Sequence, residues 1–368
     1  MTNEFVVTAT RSMKAYAEHV VEHLVKFPAF SEFAESINGI DILGVDRFAD
    51  GEMEAVVRDS IRGKDVVLFT TSCARNEADI SVEEAKIELY HTIDALKRCQ
   101  PATIIVFEPF VSCSRSDRTA RRSSVGLWIH LKTLSSLGAE HIVTYQMHSD
   151  KSKSMVDPVI CSIDDIPAVT LLQRYLCDTY IHTMDVLETE VRNSWAFCSV
   201  DAGGEQMARG FANAFGAPLV VAHKQRDYTK TNTVESVNIL SAEPIKGKKI
   251  WIVDDMIDTG GSVCQLVEAL AKLEPAEVNI MAVHPVLSNP ASEKLTKLYN
   301  RGLLKKIVVT DSVCCLKKLA IPCLEVVSSA ELSAKIIRTI ETNKAMGKLL
   351  REFDVRTYLE KISSLLIF

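Results

Sequence analysis

The chain has 368 residues, 47% hydrophobic and 24% charged, with a formal net charge of −6. That length and apolar share allow two domains with substantial cores, while the acidic balance leaves no electrostatic footprint for nucleic acid or for an anionic membrane surface. Ten cysteines without a Cys-x-x-Cys pair indicate neither zinc nor redox motifs and fit a reducing compartment; with no signal-type amino terminus and no apolar run of about 18 residues, a cytoplasmic protein is expected.

Residues 5–10 read as a first strand, followed by a helix with Met13, Ala17, Val20, Val21 and Leu24 on one face. Residues 27–39 have no clear period and predict a short helix with a loop. Residues 40–45 predict the next strand, leading into Arg47-Phe48-Ala49-Asp50-Gly51-Glu52-Met53, and 66–69 form another, buried strand. An amphipathic helix covers 83–98, and Pro101 separates it from a strand at 104–107. A helix over 124–137, stopped by Gly138, precedes the strand 141–145, which ends at Gln146-Met147-His148.

The second half repeats the plan. A helix over 168–182 precedes strand 195–200, the turn Asp201-Ala202-Gly203-Gly204 and helix 205–215. Strand 219–222 ends at His223-Lys224-Gln225-Arg226. A strand from 250, its helix, strand 278–283, helix 290–298 and strand 307–310 follow. Loop and strand fill 317–327, one long helix spans 330–350, and the tail to Phe368 is mixed. Alternating strands and helices, with all-apolar strands, predict an α/β fold of mainly parallel sheets covered on both sides. The expected domains are 1–160, 161–315 and a carboxyl-terminal segment 316–368 that packs back on the core.

One stretch organises the rest: Lys249-Ile250-Trp251-Ile252-Val253-Asp254-Asp255-Met256-Ile257-Asp258-Thr259-Gly260-Gly261-Ser262. Four apolar residues make a short buried strand, two carboxylates end it, and a glycine turn opens a helix carrying Val263, Leu266, Val267 and Leu270. Strand, glycine turn and helix place a phosphate among backbone N–H groups at the positive end of the helix. The paired glycines allow close approach and positive φ, and Thr259 and Ser262 add hydroxyl donors. Asp254 and Asp255 can grip ribose hydroxyls or a hydrated Mg²⁺. The string resembles the phosphoribosyl pyrophosphate (PRPP) loop shared by type I phosphoribosyltransferases and ribose-phosphate pyrophosphokinases.

His148, Asp201, Lys224, Asp254 and Asp255 all fall at the carboxyl ends of predicted strands, where functional side chains of such sheets belong. Lys224 and Arg226 put two cations on one segment, suited either to clamping a transferring diphosphate or to plain solvation. Phe48-Ala49-Asp50-Gly51-Glu52 offers an aromatic face for a base and two acceptors, or else a β-turn with an exposed Glu. Ser114-Arg115-Ser116-Asp117-Arg118, in a loop before a helix, suits a triphosphate or plain solvation.

In this order, these segments, together with Arg62-Gly63-Lys64-Asp65-Val66 and Gly138-Ala139-Glu140-His141-Ile142, resemble ribose-phosphate pyrophosphokinases over about residues 5–350. The resemblance implies two tandem phosphoribosyltransferase-type domains and the transfer of a diphosphate from ATP to ribose 5-phosphate. It further implies a homo-oligomer, built from dimers up to a hexamer, with no nucleic acid or membrane as partner. It assigns Phe48, Asp50, Gly51, Glu52, Arg115 and Ser116 to ATP, and His148 and Asp201 to Mg²⁺. Lys224 and Arg226 become the catalytic pair, and Arg226, Asp254, Asp255, Asp258, Thr259, Gly260, Gly261 and Ser262 take ribose 5-phosphate. Two departures stand out. The family's Asp-Leu-His is Gln146-Met147-His148 here, and Ser116 replaces a Gln. They keep a catalytically silent regulatory subunit as one alternative; a type I phosphoribosyltransferase is the other.

Overall fold

The structure, a computed structural model, describes residues 4–119, 122–226, 234–313 and 319–365, without the side chains of 224–226, 234–236 and 365. Its contacts divide the chain into two compact units, Met1–Pro167 with Ser312–Cys315 and Ser328–Arg351, and Ala168–Asp311 with Leu316–Val327 and Glu352–Phe368.

The first unit contains β1 (Phe5–Ala9), β2 (Leu43–Arg47), β3 (Met53–Val57), β4 (Asp65–Phe69), β5 (Thr103–Phe107), β6 (His141–Tyr145) and β7 (Ser162–Ile166). Its helices are α1 (Lys14–Leu24), the short α2 (Ala34–Ile37), α3 (Val82–Arg98) and α4 (Gly126–Leu137). Five strands form one parallel sheet in the order β1-β4-β5-β6-β7. The apolar runs that predicted buried strands do pack that way: Val66, Leu68, Ile104, Val106 and Ile142 are fully buried, in one core with Leu89, Ile93 and Leu96 of α3 and Leu127, Leu131 and Leu134 of α4. The Ser81 hydroxyl starts α3 by accepting from Glu84 N, and Gly138 ends α4 at φ +114°.

Two elements differ from the sequence reading. The strand expected at 40–45 is β2, which pairs antiparallel with the unanticipated β3 as a hairpin outside the main sheet. Edge strand β7, Ser-Ile-Asp-Asp-Ile, carries two carboxylates and so lacks the apolar run of its neighbours.

The second unit contains β8 (Trp195–Ser199), β9 (Leu219–Arg226), β10 (Val234–Ser241), β11 (Lys249–Met256), β12 (Glu277–His284), β13 (Lys306–Thr310) and β14 (Leu324–Val327). Its helices are α5 (Val169–Leu176), the three-residue α6 (Met184–Val186) and α7 (Arg192–Ser194), α8 (Glu205–Phe215), α9 (Gly261–Ala271) and α10 (Ala291–Asn300). The sheet order is β10-β9-β8-β11-β12-β13-β14, parallel except for β10. β11 lies at its centre, and Ile250 to Val253 are inaccessible to solvent. The strand expected to stop at 222 continues to Arg226, because β10 pairs with its far end, Val237 opposite Lys224 and Val234 opposite Arg226.

The segment 316–368, read as a single appendage, is divided between the units. β14 joins the second unit's sheet. α11 (Ala330–Glu341) packs on α1 in the first unit, and α12 (Val355–Leu365) belongs to the second. The predicted long helix stops at Glu341, since Asn343 takes a left-handed φ of +48°. No helix of the described residues is long and apolar enough to cross a membrane.

Candidate functional site

In the second unit the chemistry gathers at the carboxyl ends of β8 and β11, adjacent parallel strands. After β8 the Asp201 carboxylate accepts from Gly203 N (2.9 Å) and Gly204 N (3.2 Å), an Asx turn that bends the chain into α8. Gly204 lies next to Asp254: a Cβ there would stand 3.7 Å from its Oδ1, an ordinary contact. Asp254 is half-buried beside Asp255, whose amide donates to its Oδ1 at 3.0 Å. Burial pushes the Asp254 carboxyl well above the usual carboxylate range, and the charges of Asp255 and Asp201 push the same way. Three acids therefore crowd two adjacent strand ends, an arrangement eased by ligand hydroxyls or by a cation. Among the described residues no three His, Cys, Asp or Glu side chains are arranged to hold a metal ion. The oxygen donors themselves are of the kind a hard divalent ion takes.

The turn after β11 is held from its neighbour, with Ile257 N donating to His284 O and Leu287 N to Ile257 O. Gly260 has φ +70° and caps α9, whose first intrahelical bond runs from Cys264 N to Gly260 O. The amides of the first turn thus have no intrahelical acceptor and give the helix its anion-attracting end. Gly261 does not use positive φ. A Cβ there would instead come within 3.8 Å of Thr259 Oγ1 and of Lys294 Nζ. Lys294, on α10, reaches the Thr259 carbonyl at 3.4 Å and so sets an ammonium beside the turn. Sequence reasoning missed it, because only the fold brings residue 294 to residue 259.

The structure thus brings together Asp201, Asp254, Asp255 and the turn 258–262. Lys224 and Arg226 end β9, the strand beside β8, and their side chains lie outside the described residues.

In the first unit Phe48, Asp50, Gly51 and Glu52 share the tip of the β2–β3 hairpin. Phe48 N donates to Glu52 O, Gly51 turns at φ +94°, and Glu52 N donates to Asp50 Oδ1 at 3.0 Å. The Phe48 ring is 55% exposed. Arg47, the last residue of β2 before the loop, donates to Gly51 O and pairs with Glu84 of α3. Arg115 is exposed in the turn after β5. Ser116 closes that turn: its amide donates to Cys113 O, and its hydroxyl accepts from Gly126 N at 2.9 Å.

His148 is exposed two residues beyond Gln146, which has φ +41° and donates its amide to Ile166 O. An acid does stand at this turn. Asp165 of β7 accepts from Met147 N at 3.0 Å, its carboxyl raised by burial against the lowering effect of that bond and of Lys153. His148 belongs to the first unit and Asp201 to the second, so the expected metal pair is split between them.

Residues 5–138 match the model of the N-terminal domain of ribose phosphate pyrophosphokinase, and 184–317 that of the phosphoribosyl transferase domain. The ribose-phosphate pyrophosphokinase of Caldanaerobacter subterraneus subsp. tengcongensis is 30% identical over 95% of this chain and 98% of its own length. That of Mycoplasma genitalium is 31% identical over 79% of this chain and 81% of its own. The crystal structure of phosphoribosylpyrophosphate synthetase from Mycobacterium smegmatis superposes with a TM-score of 0.76 at 26% identity, covering 92% of this chain and 99% of that one. Both domain types occur here in order and on one polypeptide, and the similarity runs nearly end to end: the chain belongs to the ribose-phosphate pyrophosphokinase family.

Proposed function

We propose that the protein is a ribose-phosphate diphosphokinase, which transfers the β,γ-diphosphate of ATP to the anomeric hydroxyl of ribose 5-phosphate and releases AMP. The observation that carries this reading is the β11 strand end, with half-buried Asp254 and Asp255 leading into a glycine turn and helix amino terminus, in a chain that also has the pyrophosphokinase N-terminal domain. The two units are then tandem phosphoribosyltransferase-type domains, assembled into a homo-oligomer built from dimers.

The chemistry needs alignment and charge neutralisation more than a covalent nucleophile. The 5-phosphate sits on the backbone of 258–262, with the Thr259 and Ser262 hydroxyls and the Lys294 ammonium beside it. Asp254 and Asp255 take the ribose diol, whose hydroxyl protons relieve the crowded carboxylates. Phe48 stacks on adenine, Asp50 and Glu52 accept from its amino group, and Arg115 meets the triphosphate. Lys224 and Arg226 stabilise charge as it shifts toward the AMP oxygen. Mg²⁺, when bound through His148 and Asp201, would neutralise the triphosphate.

A type I phosphoribosyltransferase needs no N-terminal unit with an aromatic hairpin, which disfavours that alternative. A silent regulatory subunit is favoured only by Gln146 and Ser116. The test is release of AMP and formation of PRPP from ATP and ribose 5-phosphate, compared with Lys224→Ala. The variant is expected to lose about 10²-fold in kcat with both KM values little changed. No turnover by the wild type at any Mg²⁺ concentration would overturn the reading in favour of the silent subunit.

A further inference from the structure

The first unit holds a chain of three titratable side chains, two of them buried, to which the reaction assigns no role. Glu108, directly after β5, and His130, on α4, are 0% and 1% exposed, with His130 Nε2 2.8 Å from Glu108 Oε2. Tyr90 of half-buried α3 surface completes the chain, its hydroxyl 3.0 Å from His130 Nδ1. Facing the Glu108 carboxyl, Nε2 of the ring carries the proton of that bond, and Nδ1 meets the phenol oxygen. Glu108 has a second task. Its Oε1 accepts from Ser112 N at 3.3 Å, closing the start of the turn that carries Arg115.

Stability alone does not account for this arrangement. A buried histidine–carboxylate pair is commonly no more stable than an apolar pair of similar size. The turn it meets is a demanding one. Cys113 takes a left-handed φ of +62°, rare for a residue with a side chain, and the turn is tied down again by Ser116 at Cys113 O and Gly126 N. Lys86 of α3 lies against Cys113 from the same side as Tyr90.

We propose that the Tyr90–His130–Glu108 chain is a positioning device for Arg115: by fixing the Glu108 carboxylate it holds Ser112 and the strained turn, and so sets affinity for the nucleotide triphosphate without touching it. The inference rests on the assignment of Arg115 to ATP made above.

The test uses the full-length protein and calorimetric titration with Mg²⁺ and α,β-methylene-ATP, in which the bond to be broken cannot react, with ribose 5-phosphate titrated in parallel. Glu108→Leu removes the acceptor for Ser112 N and is expected to weaken nucleotide binding about tenfold or more. Glu108→Gln keeps an acceptor and is expected to restore affinity to within about threefold of wild type. Ribose 5-phosphate affinity stays unchanged in both, and amide exchange over 112–118 quickens in Glu108→Leu only. If Glu108→Leu does not fold, the apolar pair Glu108→Leu/His130→Leu provides the same comparison. Arg115→Ala separates the two ideas. If it weakens nucleotide binding while folded Glu108→Leu binds like wild type, positioning is overturned and the reading of Arg115 stands. If Arg115→Ala itself binds nucleotide like wild type, that reading falls and the inference with it. Equal losses for nucleotide and sugar phosphate in Glu108→Leu would mark a merely structural pair and also overturn the proposal.

Discussion

Gly260 and Gly261 stand side by side, yet the turn needs each for a different reason. Gly260 sits at φ +70°, where an L side chain costs about 1–2 kcal/mol. Gly261 has ordinary helical geometry, and an added Cβ would find nothing nearer than 3.8 Å in the protein. Gly260→Ala is therefore expected to lower thermal stability and sugar-phosphate affinity together. Gly261→Ala should melt like wild type and lose affinity only because its methyl occupies the ligand's approach. Melting curves with ribose 5-phosphate titrations separate the two; equal stability losses would show that the turn responds as one unit. At this scale much of the site was legible, since Asp254, Asp255 and both glycines announce themselves by type and order. Which glycine is left-handed was not, because φ at a turn depends on how the following helix is docked.

Among the elements, the long apolar strands β4, β5, β6, β8, β11 and β12 could be read from sequence because burial on both faces leaves an unbroken apolar run. Three strands outside the sheet centres could not. β3, β7 and β10 mix charged and apolar residues, so their pairing is decided by neighbours rather than by their own pattern. The β9 error follows directly: His223-Lys224-Gln225-Arg226 looks like a loop until β10 supplies its hydrogen bonds. Lys294 was invisible for a related reason, since α10 reaches the turn only after β12 has returned beside β11. Its ammonium lies where α9's amino end already favours an anion, so the two fields add. Lys294→Met keeps the aliphatic length and removes the charge. We expect about a fivefold to tenfold rise in the KM for ribose 5-phosphate, little change in that for ATP, and a weaker dependence of sugar-phosphate affinity on ionic strength. An unchanged KM for ribose 5-phosphate would leave Lys294 as a support for the Thr259 carbonyl alone.

For the whole molecule, the two units cannot be cut apart at residue 167. The chain leaves the first unit there, touches it again at Ser312–Cys315 while building the second through β14, and returns to it as α11 before ending in the second as α12. On α11, Ala330, Ala334, Ile336 and Ile337 are almost completely buried, and α1 is the helix they meet. A chain of hydroxyls joins the same elements: Tyr16 of α1 reaches Ser329 and Ser333 at 2.7 Å each, and Ser333 reaches Tyr145 at the end of β6 at 2.6 Å. A fragment of residues 1–167 would expose the apolar side of α1 that α11 covers and would exchange the Tyr16 and Tyr145 contacts with Ser329 and Ser333 for water, a net loss of about 0.5–1.5 kcal/mol per hydrogen bond. Against a typical domain stability of about 5–15 kcal/mol, these losses together with the missing apolar contacts remove most of the margin. The fragment 1–167 is therefore expected to be aggregation-prone or only partly folded. Rejoining 328–351 through a flexible linker should restore a cooperative melt. Circular dichroism and hydrogen exchange on the two fragments decide the matter, and a cooperative melt of 1–167 at the temperature of the rejoined form would show that α11 is not part of the first unit's fold.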